Sequence, residues 1–248
     1  MQARVPDKRI MCVGNSFRIC YNQSRSIGNQ SPAYADVSEE KMREILLSFL
    51  IAVISYLLGC FSTGITISRA QGVDIRSKGS KNTGASNVLR VLGLKSGFLT
   101  FLGDFLKATL ACLAGHLILP GTTFGVVNYG VMLGGLFAVL GHNWPVFYGF
   151  KGGKGVACSA AVVFFVSPLW GIISIVICLG VIAITRYISL GSMTLMFLYM
   201  ILMCIANWGQ WVVCLFTVIL FALCVWRHRA NVQRLLNGTE NKIGQRAK

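Results

Sequence analysis

The chain has 248 residues, 54% of them hydrophobic and 12% charged, with a formal net charge of +15. That balance excludes an ordinary water-soluble globular domain, and because the basic residues lie between apolar runs instead of along one stripe it also argues against a nucleic-acid-binding module. The nine cysteines are scattered, most of them inside apolar runs, with no Cys-x-x-Cys pair, so neither a disulfide framework nor a metal site is expected.

Residues 1–41 are polar, carry Arg4, Lys8, Arg9, Arg18 and Arg25, and show no apolar period. They lack the apolar centre of a signal peptide and are expected to be a disordered or spurious extension, with initiation at Met42; a targeting arm is the alternative. Residues 42–248 then form the working domain. Apolar segments follow at about 45–68, 97–119, 126–141, 156–167, 169–185, 188–206 and 209–226. They predict an all-α, polytopic integral membrane protein with seven transmembrane helices and a short interfacial helix. Pro168 is read as a tight turn between two short crossings; one kinked span and six crossings is the other possibility. The 156–167 piece reaches crossing length if its helix starts within Lys151-Gly-Gly-Lys154.

With seven crossings the loops sort by charge. Those after the first, third and fifth crossings carry Arg69, Arg76, Lys78, Lys81, Arg90 and Lys95, then Lys151 and Lys154, then Arg186, whereas the loops near 120–125, 167–168 and 206–208 carry no Lys or Arg. The positive-inside rule makes the first set cytoplasmic, the N-terminus external and the C-terminus cytoplasmic, and it puts three polar segments on one face.

Those segments are the chemistry-bearing part of the chain. The first, Gly79 to Arg90, clusters Ser80, Asn82, Ser86, Asn87 and Arg90; on a helix over 85–93 the last three share neighbouring faces and reach one phosphate. The plainer reading is a turn with a helix cap. The second, Gly141 to Gly155, sets Lys151, Gly152, Gly153 and Lys154 before an apolar helix, whose N-terminus favours anions. It lacks Walker A spacing, so ATP hydrolysis is disfavoured, and a loop that holds lipid headgroups is the competing reading. The third runs from Arg227 through His228, Asn231 and Arg234 to Glu240 and Lys242. His228 and Asn231 share a helix face, though basic residues just past a crossing are also ordinary anchors. Asp104 and Lys107, three apart inside an apolar run, read as an intramembrane ion pair closing the floor of a site, with direct catalysis by Asp104 as the second reading.

In order and separation, the three segments resemble the signature motifs of the bacterial acyl-phosphate:glycerol-3-phosphate acyltransferase family, usually called PlsY. The resemblance covers about residues 44–248. It implies transfer of an acyl group from acyl phosphate to the 1-hydroxyl of sn-glycerol 3-phosphate, giving lysophosphatidate and inorganic phosphate, without metal or other cofactor, in the bacterial cytoplasmic membrane. The implied partners are those two substrates, membrane lipids and an upstream enzyme that forms acyl phosphate. By motif it assigns catalytic places to His228, Asn231 and Ser80. Phosphate-binding or supporting places fall on Arg90, Lys154, Lys151, Asn82, Ser86, Asn87, Gly152, Gly153, Arg227 and Glu240. Ser86 stands where the family has Thr, and Cys60-Phe-Ser62 where it often has Ser-Ile-Pro, which removes the sequence's reason for a kink there. A transporter of phosphate or a phosphorylated solute, and a noncatalytic scaffold for anionic lipid, are the rivals; the first lacks an evident inverted repeat, and the second leaves the Asn, Ser and His content unexplained.

Overall fold

The computed structural model describes residues 32–121, 123–125 and 127–245. Contacts divide the chain into Met1–Glu39 and Glu40–Lys248, and the second unit carries all three polar segments. Nine α-helices occur among the described residues: α1 Pro32–Cys60, α2 Thr63–Ala70, α3 Ala85–Leu92, α4 Leu94–Ile118, α5 Tyr129–Asn143, α6 Val156–Val166, α7 Pro168–Thr185, α8 Ile188–Ala206 and α9 Trp211–Leu236. The departure from an all-helical chain is an antiparallel ribbon of Thr123–Phe124 (β1) against Val127–Asn128 (β2).

Helix α1 begins at Pro32, not after Met42. Glu39, Glu40, Lys41 and Met42 are good helix formers, and Glu39 precedes Arg43 by one turn, so the helical pattern extends into what reads as a polar extension. Residues 32–41 of the expected disordered or spurious extension thus belong to α1, and its remainder, residues 1–31, lies outside the described residues. The first crossing is broken between α1 and α2 although no proline stands there. Ser62 caps α2 by accepting from the Ile65 N–H at 3.4 Å, and Lys107 of α4 donates to the Phe61 carbonyl at 2.6 Å. Backbone groups released by the break thus find partners inside the protein.

Among the described residues, six segments have the length and composition to cross a membrane: residues 38–70, 94–118, 129–148, 168–185, 188–206 and 211–236. The seventh apolar piece, α6, has 11 residues; at ~1.5 Å per residue it spans about 16 Å of a hydrocarbon core ~30 Å thick. It does not start within Lys151–Lys154, because Gly153 N–H donates to the His142 carbonyl at 3.0 Å and Gly155 takes a φ of +77°. The expected break at Pro168 is present: Ser167 is extended and Pro168 opens α7, where its missing N–H costs nothing.

Small residues on α4 let its neighbours close in. Ala108, Ala111 and Cys112 are fully buried, and a Cβ on either Gly115 of α4 or Gly130 of α5 would run into the other's carbonyl. Tyr199 and Met203 of α8, Cys158 and Val162 of α6, and Val213 and Leu220 of α9 complete the same core. Large apolar side chains such as Phe49, Leu110, Leu117 and Ile184 stay exposed on outer faces, as a lipid-facing surface requires.

Candidate active site

The first polar segment is a loop organised by one buried amide. Asn87 Nδ2 donates to the carbonyls of Ile75 (3.3 Å), Lys78 (3.1 Å) and Asn82 (2.9 Å), while its Oδ1 accepts from the Ser80 N–H at 2.8 Å. Asn87 is therefore the loop's brace instead of the phosphate ligand expected of it. Asn82 Oδ1 accepts from the Gly84 N–H at 2.9 Å and its Nδ2 reaches the Gly152 carbonyl at 3.5 Å, joining the first segment to the second. Ser80, Ser86 and Arg90 line the cavity that the loop borders.

In the second segment the glycines serve close packing. Gly153 lies against the His142 ring, and a Cβ there would overlap it. Arg227 of α9 donates to the Gly153 carbonyl from Nε (3.0 Å) and Nη2 (2.6 Å) and to the Gly152 carbonyl from Nη2 (3.1 Å), with its guanidinium 5.2 Å from the centroid of the Trp144 ring. Arg227, Gly152 and Gly153 thus form a clamp between segments two and three, occupied differently from the phosphate contacts expected of them. Lys151 is exposed and outside the main cavity.

Lys154 begins a connected polar chain. Its Nζ donates to Asn231 Oδ1; Asn231 Nδ2 and Ser189 Oγ donate to Glu240 Oε1 at 2.7 and 2.9 Å, and Arg234 Nε donates to Glu240 Oε2 at 2.7 Å. Glu240 is an acceptor that aims Asn231 and Arg234, not a group that touches phosphate, since two anions repel. Burial pushes the Lys154 ammonium down to about 8, against the pull of Glu240 and with the help of Arg234, Arg90 and Arg227. Burial likewise holds Arg90 below its usual range. For Glu240 burial acts upward, but donation from Asn231, Arg234 and Ser189 outweighs it and keeps the carboxyl below the ordinary range. His228 is buried; its Nδ1 lies 2.8 Å from the Cys224 carbonyl. A carbonyl only accepts, so Nδ1 carries the proton and Nε2 is the ring nitrogen left for other chemistry.

Beneath this region, Asp104 and Lys107 form the expected ion pair at 2.9 Å, with a third member that the sequence reading missed. His142 Nδ1 lies 3.0 Å from Lys107 Nζ and 3.5 Å from Asp104 Oδ1, and Thr63 Oγ1 donates to Asp104 at 3.3 Å. His142 sits in the quoted second segment; the signal for it was Asp104 and Lys107 needing polar company at that depth.

All three segments meet around one cavity of about 540 Å³. Its polar end holds Ser80, Arg90, Lys154, His228, Asn231 and Arg234. Glu240, Asp104 and His142 also reach the lining, and the rest is largely apolar, from Phe98, Phe101 and Phe105 of α4, Leu179 and Ile182 of α7 and Leu195 of α8. Ser189 and Ser192 also line it; both lie in an apolar run whose sequence gave no sign of them. An anion with a long apolar tail fits such a space, because cationic donors and a greasy channel are contiguous.

The sequence profile of the glycerol-3-phosphate acyltransferase family matches residues 49–238. A glycerol-3-phosphate acyltransferase of Thermoanaerobacter sp. (strain X514) is 43% identical over 202 residues, covering 81% of this chain and 98% of that protein. The same-named protein of Clostridioides difficile (strain 630) is 44% identical over 211 residues, covering 82% and 98%. Among solved structures, PlsY, described as an integral membrane glycerol 3-phosphate acyltransferase, matches in its glycerol 3-phosphate form with a TM-score of 0.72 and 39% identity, over 79% of this chain and 96% of that one. Its lysophosphatidic acid form matches with a TM-score of 0.70 and 38% identity, over 79% and 95%. With the profile spanning most of its length, the chain belongs to the glycerol-3-phosphate acyltransferase family.

Proposed function

We propose that this protein transfers an acyl group from acyl phosphate to the 1-hydroxyl of sn-glycerol 3-phosphate, releasing lysophosphatidate and inorganic phosphate. The observation that carries the reading is a cavity whose cationic end and apolar walls are continuous. Acyl transfer to glycerol 3-phosphate agrees with the family; the acyl-phosphate donor is the finer step, and it rests on chemistry. Ser189 Oγ, which lines the cavity, donates to Glu240, but that carboxylate is committed to Asn231 and Arg234 and held below its ordinary range, which makes it a weak base. A mixed anhydride needs no protein nucleophile, because phosphate is a good leaving group.

The 1-hydroxyl oxygen attacks the carbonyl carbon, the new C–O bond forms, and the bond from carbon to the phosphate oxygen breaks. The departing phosphate accepts the hydroxyl proton. Lys154 and Arg90 hold that phosphate and offset its charge, while Asn231, fixed between Lys154 and Glu240, and His228 Nε2 orient the acceptor. Arg234 supplies a further cation at the polar end.

The same convergence supports seven crossings with α6 as a short one. Segments one and two lie on one side because α4 and α5 cross and return. The third rejoins them only if α6 to α9 make an even number of crossings. Loop charge supports, on that count, a cytoplasmic C-terminus with all three segments in the cytoplasm and an external N-terminus.

The test incubates purified protein with acyl phosphate and labelled glycerol 3-phosphate, without CoA, acyl carrier protein or metal, and looks for labelled lysophosphatidate. Product no greater than with boiled protein would refute the reading. Product from acyl-CoA but not acyl phosphate would keep the acceptor and replace the donor.

A further inference from the structure

Arg186 is a cation to which the chemistry above gives no task. By sequence it is one of the loop charges that sort by the positive-inside rule, and a plain anchor would turn its guanidinium to water or to headgroups. Instead Arg186 Nη2 donates to the Ile243 carbonyl at 2.7 Å, and the Ile243 N–H donates to the Arg186 carbonyl at 2.8 Å. Both backbone groups of one tail residue thus close on a single residue between α7 and α8. Arg186 ends α7 with a φ of +63°, its own N–H bonded to the Ile182 carbonyl at 2.8 Å. A non-glycine residue takes that conformation at a cost and keeps it where its surroundings fix it.

The tail that Arg186 holds leaves α9 at Asn237 and turns at Gly238, whose φ is +67°. Its start is tied by the Thr239 N–H, which donates to the Arg234 carbonyl at 2.8 Å. Toward its far end Lys242 Nζ stands 5.4 Å from the centroid of the Tyr187 ring. Thr239, Lys242 and Ile243 are exposed, yet Glu240 between the two ties is buried and accepts from Ser189, Asn231 and Arg234. Asn241 and Ile243 line the acyl cavity, as do Ile182, Ile188 and Ser189. Residues 239–243 are therefore a strap from α9 to the α7–α8 turn that completes a wall of the cavity. A carboxylate past the end of a helix has a fixed place only if the chain on both sides of it is held, because each unrestrained residue keeps its backbone freedom.

We infer that Arg186 is a positioning residue for acyl transfer: by clasping the strap at Ile243 it holds Glu240 against Asn231, and through Asn231 it sets Lys154 at the polar end of the cavity. The inference rests on the acyltransferase reading. Lys154 feels Glu240 against Arg90, Arg227 and Arg234, with the His228 ring also close. A loosened strap weakens the favourable member of that set, so the ammonium gives up its proton at lower pH.

The experiment measures kcat/KM for acyl phosphate from about pH 6.5 to 9.5, in neutral detergent, for the full chain and its R186Q, R186K and I243P variants, with a thermal unfolding midpoint for each. R186Q is expected to lower kcat/KM about 3–10-fold at neutral pH, the scale of one hydrogen bond, and to move the alkaline fall down by about half a pH unit. Loss of a cation near Lys154 would by itself move that fall to higher pH, so the sign separates the clasp from bare charge. R186K stays within about twofold of wild type, because a single bond to a carbonyl does not need the guanidinium fork. I243P, which removes the N–H donated to Arg186 and leaves every charge in place, reproduces the R186Q shift. In an E240Q background R186Q costs less than about twofold more, since the group it acts through is already changed; should E240Q not fold, the position of the alkaline fall decides alone. An alkaline fall that stays at the wild-type pH in R186Q and I243P would overturn the inference, whatever happens to the unfolding midpoint. So would a shift to higher pH in R186Q, or a fully additive loss in the E240Q background. Absence of product from wild type would instead strike the acyltransferase reading itself, so the two failures are distinguishable.

Discussion

Two lysine-centred clusters lie close together in this protein and differ in how completely they are answered. Lys107 meets Asp104, the Phe61 carbonyl and the His142 ring, all within the fold. Lys154 is bonded to a neutral amide, while the nearest carboxylate, Glu240, is already engaged by Ser189, Asn231 and Arg234. Arg90 and Arg234 add charge around it without adding an acid. The first cluster is closed, and its role is to hold the α1–α2 break against α4 and α5. The second has more cations than anions at the end of a cavity, so it is completed by a ligand. Charge in an apolar protein thus marks a ligand site only where its compensation is missing.

The largest effect is expected where the missing anion would sit. Lys154→Met should lower kcat/KM for acyl transfer by about 10³, the scale for losing one charge-stabilising donor, with the thermal unfolding midpoint in detergent little changed or raised because like-charge crowding is relieved. A loss of stability instead would mean that Lys154 belongs to the closed class. Asp104→Asn should do the opposite: it leaves Lys107 buried without its counter-ion, which costs about 3–5 kcal/mol of stability, and pairing it with Lys107→Met should recover most of that loss. Unfolding of the single and double variants checks this, and equal destabilisation by both would show that the pair is not coupled.

How far the sequence reveals this distinction differs between fold and site. Crossings, the Pro168 break and the Asp104–Lys107 pair are legible because apolar run length and i,i+3 spacing are local. The convergence of three segments follows from loop charge and motif order. The division of labour inside the site does not. Asn87, Gly152, Gly153 and Arg227 look like ligands in one dimension, yet the structure engages them with backbone or close packing, because a loop between membrane helices must satisfy its own carbonyls first. Ser189 is invisible because its partner Glu240 lies 51 positions away. The break after Cys60 is likewise set at a distance, by Lys107 on another helix.

His228 tests the middle of the comparison, since it is buried like Asp104 and His142, which also line the cavity, but stands among the cations of the second cluster. Its Nδ1 proton goes to the Cys224 carbonyl, which leaves Nε2 free to accept; on the proposed mechanism that nitrogen orients the acceptor, and the departing phosphate takes the proton. His228→Gln, which keeps a hydrogen-bonding group, should reduce turnover about 10–30-fold. If it abolished turnover while both substrate affinities stayed intact, proton transfer to the departing phosphate would be the wrong step.

The smallest effect, and the one that most directly separates an open cluster from a closed one, is its response to pH. Lys154 is charged below about 8 and loses its proton as pH rises through that value. In the free enzyme, kcat/KM for acyl phosphate, whose phosphate Lys154 is proposed to hold, should therefore fall above pH 8, approaching about tenfold per pH unit. Stability should move the other way. The folded value lies below the ordinary lysine value of about 10.4, so between the two the unfolded chain binds more protons than the folded one, and the Lys154 contribution to stability increases with pH across that window. Opposed trends in affinity and stability are what a cation awaiting an anion produces, because the charge that recruits substrate is the same charge the empty fold resists. Lys154→Met should remove both pH dependences together. A variant that lost the fall in kcat/KM but kept the stability trend would assign the titration to another group and break the comparison.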